Sequence, residues 1–238
     1  MLEYQQPQSR KKFRDNIIKL KFIIYWIKMF QQIVEKIIRN VLTALYQPFW
    51  GAILMAFMSM FLYLYSKEHG WKGINLFIQP INSWVNEFLN SSDFRRVFLL
   101  AFYAAMILFR TLINRQIWFD PLGKIMEGWG LYDGDGKLTT EAIENFMLFV
   151  PFTILLLWAF EKNIFDEGFT LKKVLWRSVK VVSSISLTIE FLQVLFHIGT
   201  FQISDLTYNT LGGCLGGLIY WICIKIKGKG KSQCKRKG

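Results

Sequence analysis

The chain has 238 residues, of which 53% are hydrophobic, 17% aromatic and only 19% charged, with a mean hydropathy of +0.27 and a formal net charge of +12. A soluble domain of this length carries about a quarter charged residues and fewer aromatics. The composition excludes a disordered chain and speaks against a soluble enzyme.

The charge is terminal. Residues 1–45 hold nine Lys/Arg against three Asp/Glu, residues 225–238 hold seven against none, and the stretch between them is close to neutral. Basic tails that flank long apolar runs mark the cytoplasmic membrane face and its anionic headgroups. Membrane lipids are therefore the expected partner, and nucleic acid is not. Residues 13–45 place Ile17, Ile18, Phe22, Ile33 and Ile37 at helical spacing, with Lys19, Lys21, Lys28, Lys36 and Arg39 interrupting any clean span. That pattern predicts a basic amphipathic helix at the membrane surface.

Span 1 is expected over 48–65, bracketed by aromatics that suit the headgroup level, and 74–90 is too polar to cross. Span 2 covers 97–113. A loop over 114–144 carries Trp118, Pro121, Trp129 and the turn Asp133-Gly134-Asp135-Gly136. Read as a calcium loop, that turn would put Leu131 and Ala142 at ligand positions, so it is a turn. Span 3 covers 145–160, short and with Pro151 inside, so its ends should extend further. Spans 4 and 5 cover 178–198 and 206–224. Every span reads as helix, because the alternation of a membrane barrel is missing.

The expected fold class is thus an all-α integral membrane protein, a polytopic bundle of about five helices. Its parts are the amphipathic helix 1–45, the first span and loop 46–96, a four-helix core 97–224 and the basic tail 225–238. Cys214, Cys223 and Cys234 form no CxxC pair, and His69 and His197 are the only histidines, so no disulfide framework, metal site or cofactor is expected. The polar first residues give no cleavable signal peptide.

Ionisable groups in apolar helices are costly and mark a site or a buried partner. Arg110 ends span 2, Asn145 opens span 3, Glu190, Gln193 and His197 occupy the second half of span 4, and Asp205 and Asn209 start span 5. Those ends lie on one side of the bundle, so the groups converge there. At about 100° per residue, Ser183, Ser186, Glu190, Gln193 and His197 form one stripe. Asp205, Asn209, Gly212 and Gly216 form another, and the small residues Gly212, Gly213, Gly216 and Gly217 let a neighbouring helix approach. The two stripes are expected to face each other. A purely structural alternative makes Glu190 a packing acid, with Arg110 pairing it or Asp205.

Several of these residues resemble the VanZ-like family. Asn145, Phe149 and Pro151 are similar to the N-x-x-x-F-x-P opening of one of its spans. Ser186, Glu190 and Gln193, followed by Asp205, Asn209-Thr210-Leu211-Gly212-Gly213 and Gly216, resemble its C-terminal signature. Arg110-Thr111-Leu112 and Arg115 resemble its first conserved helix end, and the resemblance covers about 97–224. It implies a multi-pass protein of the bacterial cell membrane, in a family whose name-giving member is linked to low-level teicoplanin resistance. The resemblance names no reaction.

Orientation stays open. The basic loop 161–177 and tail, against the uncharged 199–204, place the polar cluster outside. Five spans would then put the basic N-terminal helix outside as well. Either that helix is an exception, or one more segment crosses, or span 1 is re-entrant.

Three functions are compatible with this pattern. In the first, an amphipathic envelope component, such as a lipid-linked precursor or a teichoic-acid type lipid, meets a polar intramembrane pocket. Glu190 would exchange protons there, Asp205 would orient or neutralise a partner, and Arg110 and Arg115 would meet an anionic headgroup. Asn145, Gln193, His197 and Asn209 would contact the ligand. In the second, the protein binds glycopeptide, lipid or a partner without catalysis. In the third, it is a small proton-coupled transporter, for which a homodimer is expected. No Ser-His-Asp order or phosphate-loop motif supports a named reaction, so whether it is an enzyme is undecided at this level.

Overall fold

The computed structural model describes residues 6–67, 78–113, 117–132, 136–161 and 170–234. Among these residues the regular structure is helical: α1 (Gln6–Tyr46), α2 (Phe49–Lys67), α3 (Ile78–Asn90), α4 (Ser92–Leu108), α5 (Glu141–Ala159), α6 (Leu171–Leu195) and α7 (Ile203–Cys234). Helix α4 continues into a π-helical turn, Phe109–Ile113. An isolated bridge pairs Tyr132 with Leu138, and Asp133, Gly134 and Asp135 of the expected Gly/Asp turn lie outside the described residues.

Four helical stretches are long and apolar enough to cross a membrane: Ser92–Ile113, Glu141–Ala159, Leu171–Leu195 and Ile203–Lys227. Each begins several residues before the apolar run expected from hydropathy. For α4 and α6 the reason is polar capping. The Ser91 side chain accepts from Phe94 N at 3.2 Å, and that of Thr170 accepts from Lys173 N at 3.4 Å. Caps of this kind satisfy orphan amides outside the apolar window.

The fifth expected span is the shorter apolar helix Phe49–Leu64 in α2. It packs along α4: Ala52 meets Ala105 and Met106, while Ala56, Met60 and Leu64 join Phe94 and Phe98. The segment too polar to cross contains α3, whose apolar side is anchored by Trp84. That ring stacks on Phe88 with centroids 5.1 Å apart and meets Phe94 and Phe98 edge-on. Helix α1 is one long rod. From Ile18 to Thr43 its side chains are largely exposed, and Lys36 and Asn40 touch the segment before α5.

Helix α7 lies between α5 and α6, and its glycines explain how. A Cβ on Gly212 would fall on the Phe146 carbonyl oxygen of α5, and one on Gly216 on the Val150 carbonyl oxygen. A Cβ on Gly213 would lie 2.5 Å from Val182 Cγ2 of α6, and one on Gly217 would fall on Ser178 Oγ. Neighbouring positions point about 100° apart, so two pairs of adjacent glycines open two faces. This corrects the expected stripe. Asn209 faces α6, but Gly212 and Gly216 face α5.

Candidate functional site

The polar groups gather at one end of the bundle through three links between helix ends. The first starts at the π-turn. Arg110 there donates from Nη2 to Glu144 Oε2 on the first turns of α5. The other carboxylate oxygen accepts from Thr140 Oγ1 at 2.6 Å, and Thr140 Oγ1 accepts from Asn40 Nδ2 of α1 at 2.7 Å. Lys36, one turn earlier on α1, donates to the Leu138 carbonyl at 2.7 Å. Glu144 is nearly enclosed, with 7% of its side chain exposed against 32% for Arg110. A carboxylate so far from water needs a fixed cation and hydrogen-bond donors, and it has both.

The second link is between α6 and the π-turn. Gln193 Nε2 donates to the Thr111 carbonyl at 2.8 Å, and both residues are buried. Thr111 Oγ1 turns back to the Ile107 carbonyl at 2.8 Å. Carbonyls in the last turn of a helix lack an intrahelical donor, and the glutamine supplies one.

The third link joins α6 to the start of α7. Glu190 is 2% exposed, and its Oε2 accepts from Gln202 N at 2.9 Å. Gln202 precedes α7, and its carbonyl accepts from Leu206 N, so the carboxyl sits at the positive end of that helix. One turn before Glu190 on α6, Ser186 Oγ accepts from Asn209 Nδ2 at 2.8 Å. Asn209 Oδ1 and Gln202 Oε1 are buried with no donor among the described residues.

A cover lies over this end. The 117–132 segment is bonded by its backbone to the α6–α7 turn: Trp118 N to His197 O at 2.8 Å, Phe201 N to Pro121 O at 2.8 Å and Ile203 N to Ile125 O at 3.1 Å. Ser204 Oγ donates to the Glu127 carbonyl at 2.7 Å, and Gly130 N donates to the Tyr208 hydroxyl at 3.0 Å. Gly128 has φ +82°, and a Cβ there would lie 2.6 Å from Gln202 Oε1 and from Ser204 Oγ. Only glycine takes that conformation against that surface.

The expected residues divide accordingly. Arg110, Glu190, Gln193 and Asn209 take part in the three links. Asp205 is half-buried in the first turn of α7, and Asn145 is half-buried beside Glu144. His197 does not continue the α6 stripe: the helix ends at Leu195, and His197 is exposed with φ 55°. Arg115 lies outside the described residues. Arg110 pairs with Glu144, a residue the sequence reading missed because it stands one position before the expected start of span 3. The available signal was Thr140-x-x-x-Glu144, a helix-opening pair one turn apart.

Apolar helices of membrane-spanning length, with costly polar side chains enclosed at one end, define a polytopic helical membrane protein. The family model described as VanZ/LLP1 matches residues 2–224, and the chain belongs to that family. The match takes in α1 to α3, which the sequence motifs leave aside. The chain is also similar to Protein VanZ of Enterococcus faecium, with 36% identity over 85 residues, covering 36% of this chain and 47% of that one. The chain thus spans about half the length of the curated relative it matches. No solved structure matches it.

Proposed function

We propose that the protein works in the bacterial cell membrane on an amphipathic envelope component, a lipid-linked precursor or teichoic-acid type lipid, and thereby changes susceptibility to teicoplanin. The observation that carries this reading is the setting of Arg110. Arg110 lines a cavity of about 270 Å³ together with Gln47, Pro48, Phe109 and Ile113. Glu144 holds one edge of its guanidinium, and the remaining N–H groups suit a phosphate or carboxylate headgroup. The apolar walls suit the adjoining chain. Beyond Arg110, the buried acceptors Asn209 Oδ1 and Gln202 Oε1, without donors among the described residues, would suit ligand hydroxyl or amide donors once exposed.

A second reading, binding without catalysis, is favoured by one observation. Glu190 already accepts a backbone N–H at the α7 start, which is a positioning role. Glu190→Gln separates the two readings, because glutamine keeps an acceptor for Gln202 N and loses the exchangeable carboxyl proton.

The experiment is teicoplanin susceptibility and envelope lipid profiling in cells with and without the protein, then with Arg110→Gln, Arg110→Lys, Glu190→Gln and Asp205→Asn. The expected result is a protein-dependent shift in both readouts that Arg110→Gln removes, and that Arg110→Lys, which keeps a cation for Glu144 but lacks the planar fork, weakens at unchanged protein level. Loss with Glu190→Gln selects catalysis; retention selects binding. Identical profiles with and without the protein would overturn both.

A further inference from the structure

The 117–132 segment is held by its backbone and largely apolar on its outside, where the exposed acids are Asp120 and Glu127, the latter 3.4 Å from Lys124 Nζ. Its hydrogen bonds run inward, to His197, Phe201, Ile203, Ser204 and Tyr208. Its large side chains are turned away: Phe119 is 95% exposed, and Leu122 and Met126 are more than half exposed. Trp118 and Trp129 flank them, and Lys124 Nζ stands 5.4 Å from the centre of the Trp118 ring. A soluble surface rarely shows such a patch unless something covers it.

The position says what covers it. The segment is bonded to the last turn of α6 and the first of α7, so it lies level with the ends of two membrane-spanning helices. Leu195 and Phe196, just before the His197 carbonyl that Trp118 N bonds, are exposed at the end of α6 as well. Tryptophans with an adjoining lysine belong at the headgroup boundary, where rings sit among the carbonyls and the ammonium reaches the phosphates.

We infer that residues 117–132 are an interfacial segment seated in the bilayer, with Phe119, Leu122 and Met126 among the upper acyl chains of the leaflet at the polar end of the bundle. The seated segment separates the Glu190–Gln202 link from bulk water. A ligand would reach that link sideways, from the lipid phase.

The test uses the full chain with Cys214, Cys223 and Cys234 replaced by Ser and a nitrobenzoxadiazole label on Phe119→Cys, in nanodiscs of phosphatidylglycerol and phosphatidylcholine. Lys137→Cys, at an exposed polar position, is the aqueous reference. The expected result is a blue-shifted Phe119 label, quenched by lipids with a nitroxide high on the acyl chain and protected from iodide, with the converse at Lys137. Leu122→Cys gives the same signal and serves if Phe119→Cys lowers the yield. Iodide quenching at Phe119 and Leu122 without lipid quenching would overturn the inference. So would Phe119-to-Phe119 crosslinks between copies with iodide protection persisting in detergent, which would assign the patch to a second chain.

Discussion

Gln193 reaches from α6 to the backbone of the π-turn, where its Nε2 lies 2.8 Å from the Thr111 carbonyl oxygen. A side-chain amide thereby ties two spans that are 82 residues apart in sequence at the level where the polar groups collect. Gln193→Leu fills the space and leaves that carbonyl buried without a donor among the described residues. A loss of about 1–3 kcal/mol is expected, the cost of an unsatisfied buried acceptor. Unfolding in detergent by added denaturant measures it; an unchanged midpoint would remove the link from the account.

The Arg110–Glu144 pair is lopsided, and that asymmetry is testable. Arg110 has about a third of its side chain in reach of solvent or headgroups, whereas Glu144 is enclosed. Arg110→Gln strands a carboxylate in a dry place and should cost about 3 kcal/mol or more. Glu144→Gln leaves a cation that can turn outward, and about 1 kcal/mol or less is expected. Equal losses in the same unfolding measurement would contradict this picture.

The site was legible in outline. Spacing alone placed Glu190, Gln193 and Asn209 at one end, because a polar residue in an apolar helix must face other protein. Partners were harder. Glu144 escaped because a hydropathy window finds the apolar interior of α5 and not its polar first turn, where the carboxylate sits. His197 was placed one helical turn too generously, since nothing in Leu195-Phe196-His197 announces the left-handed residue that ends α6. The glycine rows announced close packing without saying against which helix. That depends on the order of α5, α6 and α7 in space.

Because Gly212 abuts a carbonyl oxygen of the α5 backbone and Gly217 abuts a serine hydroxyl, alanine at the two positions should differ. Overpacking costs about 1–3 kcal/mol, partly offset by the better helix propensity of alanine. Gly212→Ala should fall at the upper end, since no side chain there can give way. Gly217→Ala should be partly rescued by Ser178→Ala, which removes the opposing oxygen. Thermal unfolding of the two variants and the double variant decides it.

Gly128 and Gly130 share a positive φ, +82° and +84°, but only Gly128 faces Gln202 and Ser204, and Gly130 has open space around its Cβ position. Gly130→Ala therefore adds backbone strain alone, about 1–2 kcal/mol. Gly128→Ala adds that strain and a collision. Amide exchange over 117–132 and 197–204 should accelerate more in Gly128→Ala than in Gly130→Ala.

The paired glycines of α7 fit that rod against the backbone of one neighbour and the side chains of the other, leaving no slack for it to roll or slide between them. Three of the rods then form a stiff wall. An opening wide enough for a bulky amphiphile would have to come from the parts leaning on that wall: the long first helix, bonded to it near Asn40, and the aromatic segment tacked over its rim.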